Sequence, residues 1–226
     1  MANGLYGKLP IKRDFIAENV PRGFLPMWEP WLQGAVAASR MELGSRWQAI
    51  YLSAPIWRFW IGHAHCGRTV TGAFMPSVDG VGRYFPLTLM AMAEEGEGIQ
   101  PPTRAPAEDW YMGAEDLLLS ALEETVVFDD LIAALAAMPT PATTARVGLP
   151  EGARLLPDGL LVAVGANATS EAAFSALSAA TDAGDLATAT FWWTIGGGDF
   201  PAMAISGRRL PDPSDFSGLL TGRFDR

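Results

Sequence analysis

From Pro26 onward Trp28, Trp31, Leu32, Ala35 and Ser39 fall at helical spacing, which predicts an amphipathic helix with an aromatic stripe over 26–42. Pro26 suits a first helical turn, and Gly44 supplies the stop. The pattern then shifts to short apolar runs rich in aromatic and β-branched residues. "AIYL" (49–52) leads through Pro55 into "IWRFWIG" (56–62), and "TVTGAFM" (69–75) and "RYFPLTLMAMA" (83–93) follow. These three runs, with "AIYL" leading into the first, have strand character. The connection from Gly62 to Thr69 is hairpin-like, and "PSVDGVGRYFP" (76–86) joins the next two runs with Asp79-Gly80 as its turn. Pro86 lacks the donor for a ladder bond and marks an edge or a bulge. Ahead of the first helix, Gly4 to Arg22 reads as an irregular or extended arm punctuated by glycines and prolines.

Residues 94–108 ("EEGEGIQPPTRAPAE") break the pattern as an acidic, Gly/Pro-rich surface linker. Helical spacing returns in Leu118, Leu122 and Val126, and again in Phe128, Leu131, Ile132 and Leu135. A Pro/Thr-rich loop covers 139–158, followed by a strand over 159–165, a helix over 170–181, strands over 188–196 and 201–207, and a short helix near 213–221. Strands linked by hairpins and interspersed with helices give one α/β domain, a mixed sheet with helices packed on it. Two lobes separated at 94–108 are the alternative.

Composition narrows the function classes. Apolar residues make up 49% of the 226-residue chain and charged residues 18%, a core-rich balance. Eight Trp exceed what a core of this size requires, so most are expected inside and one or two on a recognition surface. A net charge of −9 without a Lys/Arg cluster argues against nucleic acid. The single Cys66 excludes an internal disulfide and fits a reducing compartment. With no apolar run of spanning length and no leader pattern, the expectation is a cytoplasmic protein with no membrane insertion.

Candidate chemistry is sparse. His63 and His65 would point the same way on a strand, but they and Cys66 are the only His and Cys residues, so no metal site is assigned. "GLYGK" (4–8) lacks the spacing of a phosphate loop, and "GGGD" (196–199) leads into a strand rather than a helix, so both read as turns. Arg58 stands among Trp57, Phe59 and Trp60, where a charge is costly unless paired. Asp14, Glu18 and Asp79 are its candidate partners in a buried bridge that locks the 76–86 motif to the first strand. In the alternative, Arg58 or Arg83 faces outward towards an acidic or phosphorylated partner. No general base accompanies these groups, so no catalytic residue is assigned.

Five blocks in order carry more: "GLYGKLP", "DFIAENVP", "WEPWLQGAVAASR", "LSAPIWRFWIG" and "MPSVDGVGRYFPLTL". Together they resemble the signature of the TagF/ImpM family, accessory proteins of bacterial type VI secretion. The resemblance is strong over residues 4–92, and "FWWTIGG" and "LPDPSDFSGLLTG" extend it into the later half. It implies one TagF-like domain over 1–226, with a signature half (1–93), a linker (94–108) and a C-terminal half (109–226), folded as a three-layer α/β/α sandwich on a largely antiparallel sheet. It also implies a stand-alone, non-enzymatic, post-translational repressor of secretion that binds the forkhead-associated scaffold protein Fha. Links to the pathway's Ser/Thr kinase and PP2C-type phosphatase would be indirect. Asp14, Trp57, Arg58, Ser77, Asp79, Arg83 and Tyr84 are the signature residues for partner binding or structure. Two positions depart from the family: Arg13 where glycine is common, and Gly80 where a basic residue is common. A sensor or enzyme with Arg58 and Arg83 lining an anion pocket, or a structural subunit of the secretion machine, would be the other readings.

Overall fold

A computed structural model describes residues 1–123, 125–145, 149–155, 161–164 and 170–224. Its centre is a seven-stranded sheet in the order β11-β10-β3-β4-β5-β1-β2. Strands β3 (Trp57–Ile61), β4 (Val70–Met75) and β5 (Leu87–Met92) form a meander. β1 (Asn3–Gly7) and β2 (Ile16–Glu18) extend it on one side, β10 (Thr190–Thr194) and β11 (Met203–Gly207) on the other. All six pairings in this sheet are antiparallel, so the sheet is not mixed. Four of the pairs are consecutive in the chain, whereas β1–β5 and β10–β3 join distant segments.

Helices cover both faces. On one, α1 (Phe24–Leu43), α2 (Trp47–Ser53) and α6 (Phe216–Thr221) pack on Trp57, Phe59, Ile61, Phe74, Met90 and Trp192. On the other, α3 (Glu108–Ser120) and α4 (Phe128–Ala137) pack on Leu5, Ala73, Leu87, Leu89 and Ala91. The alternation of side chains along each strand therefore feeds two cores. β6 (Glu97–Ile99) pairs with β7 (Thr143–Ala145), β8 (Ala153–Leu155) with β9 (Leu161–Ala163), and α5 (Ser170–Thr188) precedes β10. The expected 159–165 strand is described only over β9, its remaining positions lying outside the described residues.

Four expectations are corrected. "AIYL" is not a strand but part of α2, because Trp47 and Tyr51, one helical turn apart, stack at 4.6 Å and are both buried. The supposed N-terminal arm supplies two strands of the sheet, and "GLYGK" is β1 plus Lys8 rather than a turn. Its glycines mark close approach: a Cβ on Gly7, at φ 137°, would lie 2.2 Å from the Pro86 carbonyl oxygen. Pro86 accordingly sits at the entry to β5, which lies inside the sheet and is neither an edge nor a bulge. Nor is 94–108 wholly a surface linker. Ile99 within it is buried, its carbonyl accepts from Trp60 Nε1 at 3.0 Å, and its N–H donates to Thr69 Oγ1 at 3.0 Å.

No described tryptophan is on a recognition surface: seven are buried and Trp193 is half-buried against Tyr111. Six indole N–H groups have partners, among them Trp28 to Thr88, Trp31 to the Pro211 carbonyl, Trp57 to the Leu219 carbonyl and Trp110 to Asn3. Satisfied donors let these large rings be buried at little polar cost.

Candidate interaction site

The 76–86 loop spans the gap between β4 and β5 and folds over Asp79. This carboxylate is buried and accepts four hydrogen bonds: Lys8 Nζ at 2.6 Å, Arg83 Nε at 2.7 Å, and the Val81 and Arg83 N–H groups at 3.1 and 2.8 Å. Burial alone would raise its pKa, but the Lys8, Arg83 and backbone donors outweigh that and hold it well below the usual carboxylate range. Asp79 closes its own turn as well, its N–H donating to the Arg83 carbonyl and its carbonyl accepting from Gly82. Buried Ser77 donates to the Lys8 carbonyl at 2.7 Å, while its backbone N–H and carbonyl both meet the Tyr51 hydroxyl. Tyr84 packs edge-on against Trp47 and Tyr51, with Arg40 lying over the Trp47 ring at 4.2 Å.

A second contact ties the loop to the segment between β1 and β2. Gly80 N–H donates to the Lys12 carbonyl at 2.8 Å, and Arg83 Nη2 donates to the Arg13 carbonyl. Phe15 stacks on Tyr6 and meets Phe85 edge-on at 4.9 Å. The two departures from the family find their explanation here. Arg13 does not have positive φ and needs no glycine. A Cβ on Gly80 would lie 2.8 Å from the Pro10 carbonyl oxygen, so the close contact of the two loops leaves no room for a side chain.

Arg58 is buried in a different cluster, on the α3 face of the sheet. Its Nε and Nη2 donate to Glu115 at 2.6 and 3.0 Å, its Nη1 donates to both oxygens of Glu108 at 2.8 Å, and the Tyr111 ring lies beside it. Burial pulls its pKa down, and the hydrogen bonds and charges of Glu115 and Glu108 more than reverse this. The predicted buried bridge therefore exists with other partners, since Asp14 is exposed and Asp79 is held by Lys8 and Arg83. Arg58 takes no part in fastening the 76–86 motif, which is held instead by Lys8 at the end of β1. Trp57 lies on the opposite face of β3, donating to the Leu219 carbonyl.

The structure thus brings Ser77, Asp79, Arg83 and Tyr84 together, leaves Trp57 and Arg58 apart from them, and places exposed Asp14 on the adjoining segment, between Arg13 and Phe15, which contact the loop. Arg58 and Arg83 are held by different carboxylates and do not line a common pocket. Lys8, Glu108 and Glu115 were missed. Their signal is legible in hindsight: Glu108, Tyr111, Glu115 and Leu118 share one helical stripe, and an acid on an apolar stripe calls for a buried cation. His63 and His65 lie in a turn rather than a strand, with His65 Nε2 2.8 Å from the Thr188 carbonyl oxygen. Among the described residues no group of three His, Cys, Asp or Glu is placed to hold a metal. Among them, too, no helix is long and apolar enough to cross a membrane.

An antiparallel sheet between two helical layers, with the 76–86 loop fastened through Ser77, Asp79 and Arg83, defines an α/β protein. Residues 4–138 match the TagF N-terminal domain family, type VI secretion system-associated, and the chain belongs to that family. The fold is also similar to the crystal structure of PA0076 from Pseudomonas aeruginosa PAO1, with a TM-score of 0.79 and 31% identity over 100% of this chain and 96% of that one. No curated protein matches the chain.

Proposed function

We propose that this type VI secretion-associated protein is a non-enzymatic repressor of the secretion system that acts in the cytoplasm by binding the forkhead-associated scaffold Fha. The observation that carries this reading is the 76–86 loop, which lies within the family-matched segment. Its charged groups are tied to one another, and Asp79 is stabilised as a carboxylate rather than poised to exchange a proton. Pre-shaping a loop lowers the ordering cost of association, which suits a binding surface.

Calorimetry of the purified protein with phosphorylated and unphosphorylated scaffold tests the mechanism. Micromolar or tighter binding, weakened by Arg83→Ala, supports it. Absence of binding in both states removes the scaffold as the target. Deleting the gene separates repression from a structural role: secretion rises if a repressor is lost and stops if a machine part is lost.

A further inference from the structure

The charge of the chain is unevenly divided. Residues 1–83 carry nine Lys/Arg against five Asp/Glu, whereas the rest carry seven against twenty. Some of the early cations are neutralised by later acids, as Arg58 is by Glu115 and Glu108, and Arg68 by Glu94. Arg13 and Arg83 are both exposed; Arg83 is ion-paired with Asp79 but shares it with Lys8, which leaves that triad with one net positive charge.

Beside these two arginines stand three exposed apolar side chains, Ile11, Phe15 and Val81, which are 37%, 46% and 55% accessible. The Gly80–Lys12 and Arg83–Arg13 bonds hold both loops in one surface. The bordering carboxylates are Asp14 and, beyond Lys12 on the Phe128 ring, Asp129 and Asp130. On a chain of net charge −9, a cationic and apolar patch selects its partner by charge complementarity. Apolar side chains flanked by exposed guanidinium groups match a carboxylate-rich segment bearing apolar anchors.

We propose that Ile11, Arg13, Phe15, Val81 and Arg83 form the docking surface for an acidic, apolar-anchored segment of a protein partner. This rests on the reading of the protein as a binding regulator and adds the face and the chemistry. Backbone bonds on both loops fix the surface before the partner arrives, so binding does not require them to fold.

The probe is a short synthetic peptide alternating Asp/Glu with Leu/Phe, compared with its Asn/Gln counterpart by NMR titration of the intact protein. The expected result is amide shifts confined to 11–15 and 80–84, with binding weakened about tenfold or more by the Asn/Gln exchange and by Arg13→Glu. Val81→Ser, at an exposed position, serves as the variant that leaves the charges intact and should also weaken binding. No binding, shifts elsewhere, or equal binding of the two peptides would overturn the proposal, as would self-association of the protein through this face in sedimentation. Adding the Fha scaffold separates the two readings. Displacement of the peptide supports both. Scaffold that binds wild type and Arg13→Glu equally, with the peptide failing, leaves the repressor reading and removes this surface. Peptide binding at the patch with no scaffold binding does the reverse.

Discussion

At the scale of single residues the molecule is organised by two buried ionic clusters, one around Arg58 and one around Asp79. Arg58 is nearly inaccessible and saturated by Glu115 and Glu108. Removing one member of such a cluster strands the other. Arg58→Ala is therefore expected to cost about 3–5 kcal/mol in denaturant unfolding, while Arg58→Met combined with Glu115→Leu should recover most of the loss. If the double variant is as unstable as the single, the bridge contributes more than the mutual compensation of its charges. Asp79 makes the opposite kind of statement, about pH. Its carboxyl is held below the usual range in the folded protein, so its stabilising contribution is fully present above the unfolded-state pKa of about 3.9 and drains away as pH falls below it. A series of melting curves should show wild type losing more stability than Asp79→Asn as pH is lowered from about 5 to 2, with Asp79→Asn the less stable of the two at neutral pH. Parallel curves would mean that Asp79 does not contribute to the acid sensitivity. That an arginine among tryptophans must be paired was legible from its neighbours. Which acids pair it was not, because the partners lie some fifty residues away on a helix that the sequence alone could not orient.

At the scale of elements, periodicity was a sound guide wherever an element was long or hid one face. The helix seen at 26–42 and the runs at 56–62 and 69–75 correspond to α1, β3 and β4. It failed at "AIYL", where four residues are too few to distinguish a strand from one helical turn, and at β1, where two glycines imitate a loop. Those glycines are fitted to their neighbours, and so is Gly72. It sits opposite Phe59 in the β3–β4 ladder, and an added Cβ would lie 2.3 Å from the Phe59 Cζ and 2.5 Å from the Leu89 carbonyl oxygen. Gly72→Ala is expected to destabilise by roughly 1–3 kcal/mol, the range for overpacking, even though alanine suits a strand no worse than glycine. Urea unfolding will read this directly, and an unchanged midpoint would show that the sheet yields at β4. The 76–86 loop was recognisable as a shaped turn from Asp79-Gly80 and its prolines. Its attachment to Lys8 and Lys12 depended on β1 lying beside β5, a pairing that nothing local announces.

At the scale of the whole molecule, the strand order intermixes the early and late parts of the chain. β10, from beyond residue 189, pairs with β3, and Trp192 from that strand stacks on Trp28 at 5.9 Å. Phe216, Leu219 and Leu220 join the same core, so the family-matched segment 4–138 does not contain all of its own interior. A fragment ending at residue 138 is expected to associate and to lack a cooperative melt, because β3 would be left as an apolar edge. Sedimentation and near-ultraviolet circular dichroism of that fragment decide the matter, and a monomer with a sharp transition would show that β10 is dispensable. The same strand order has a consequence for synthesis on the ribosome. When β3, β4 and β5 have emerged they can zip together, yet one flank of that meander must wait until more than a hundred further residues have been made. Throughout that interval β3 has an unpaired edge and the Trp57 indole lacks the Leu219 carbonyl it donates to, and the nascent chain presents the kind of surface that chaperones hold. A stop codon or a stalled ribosome in the later half would therefore yield a species destined for triage rather than a partly working protein.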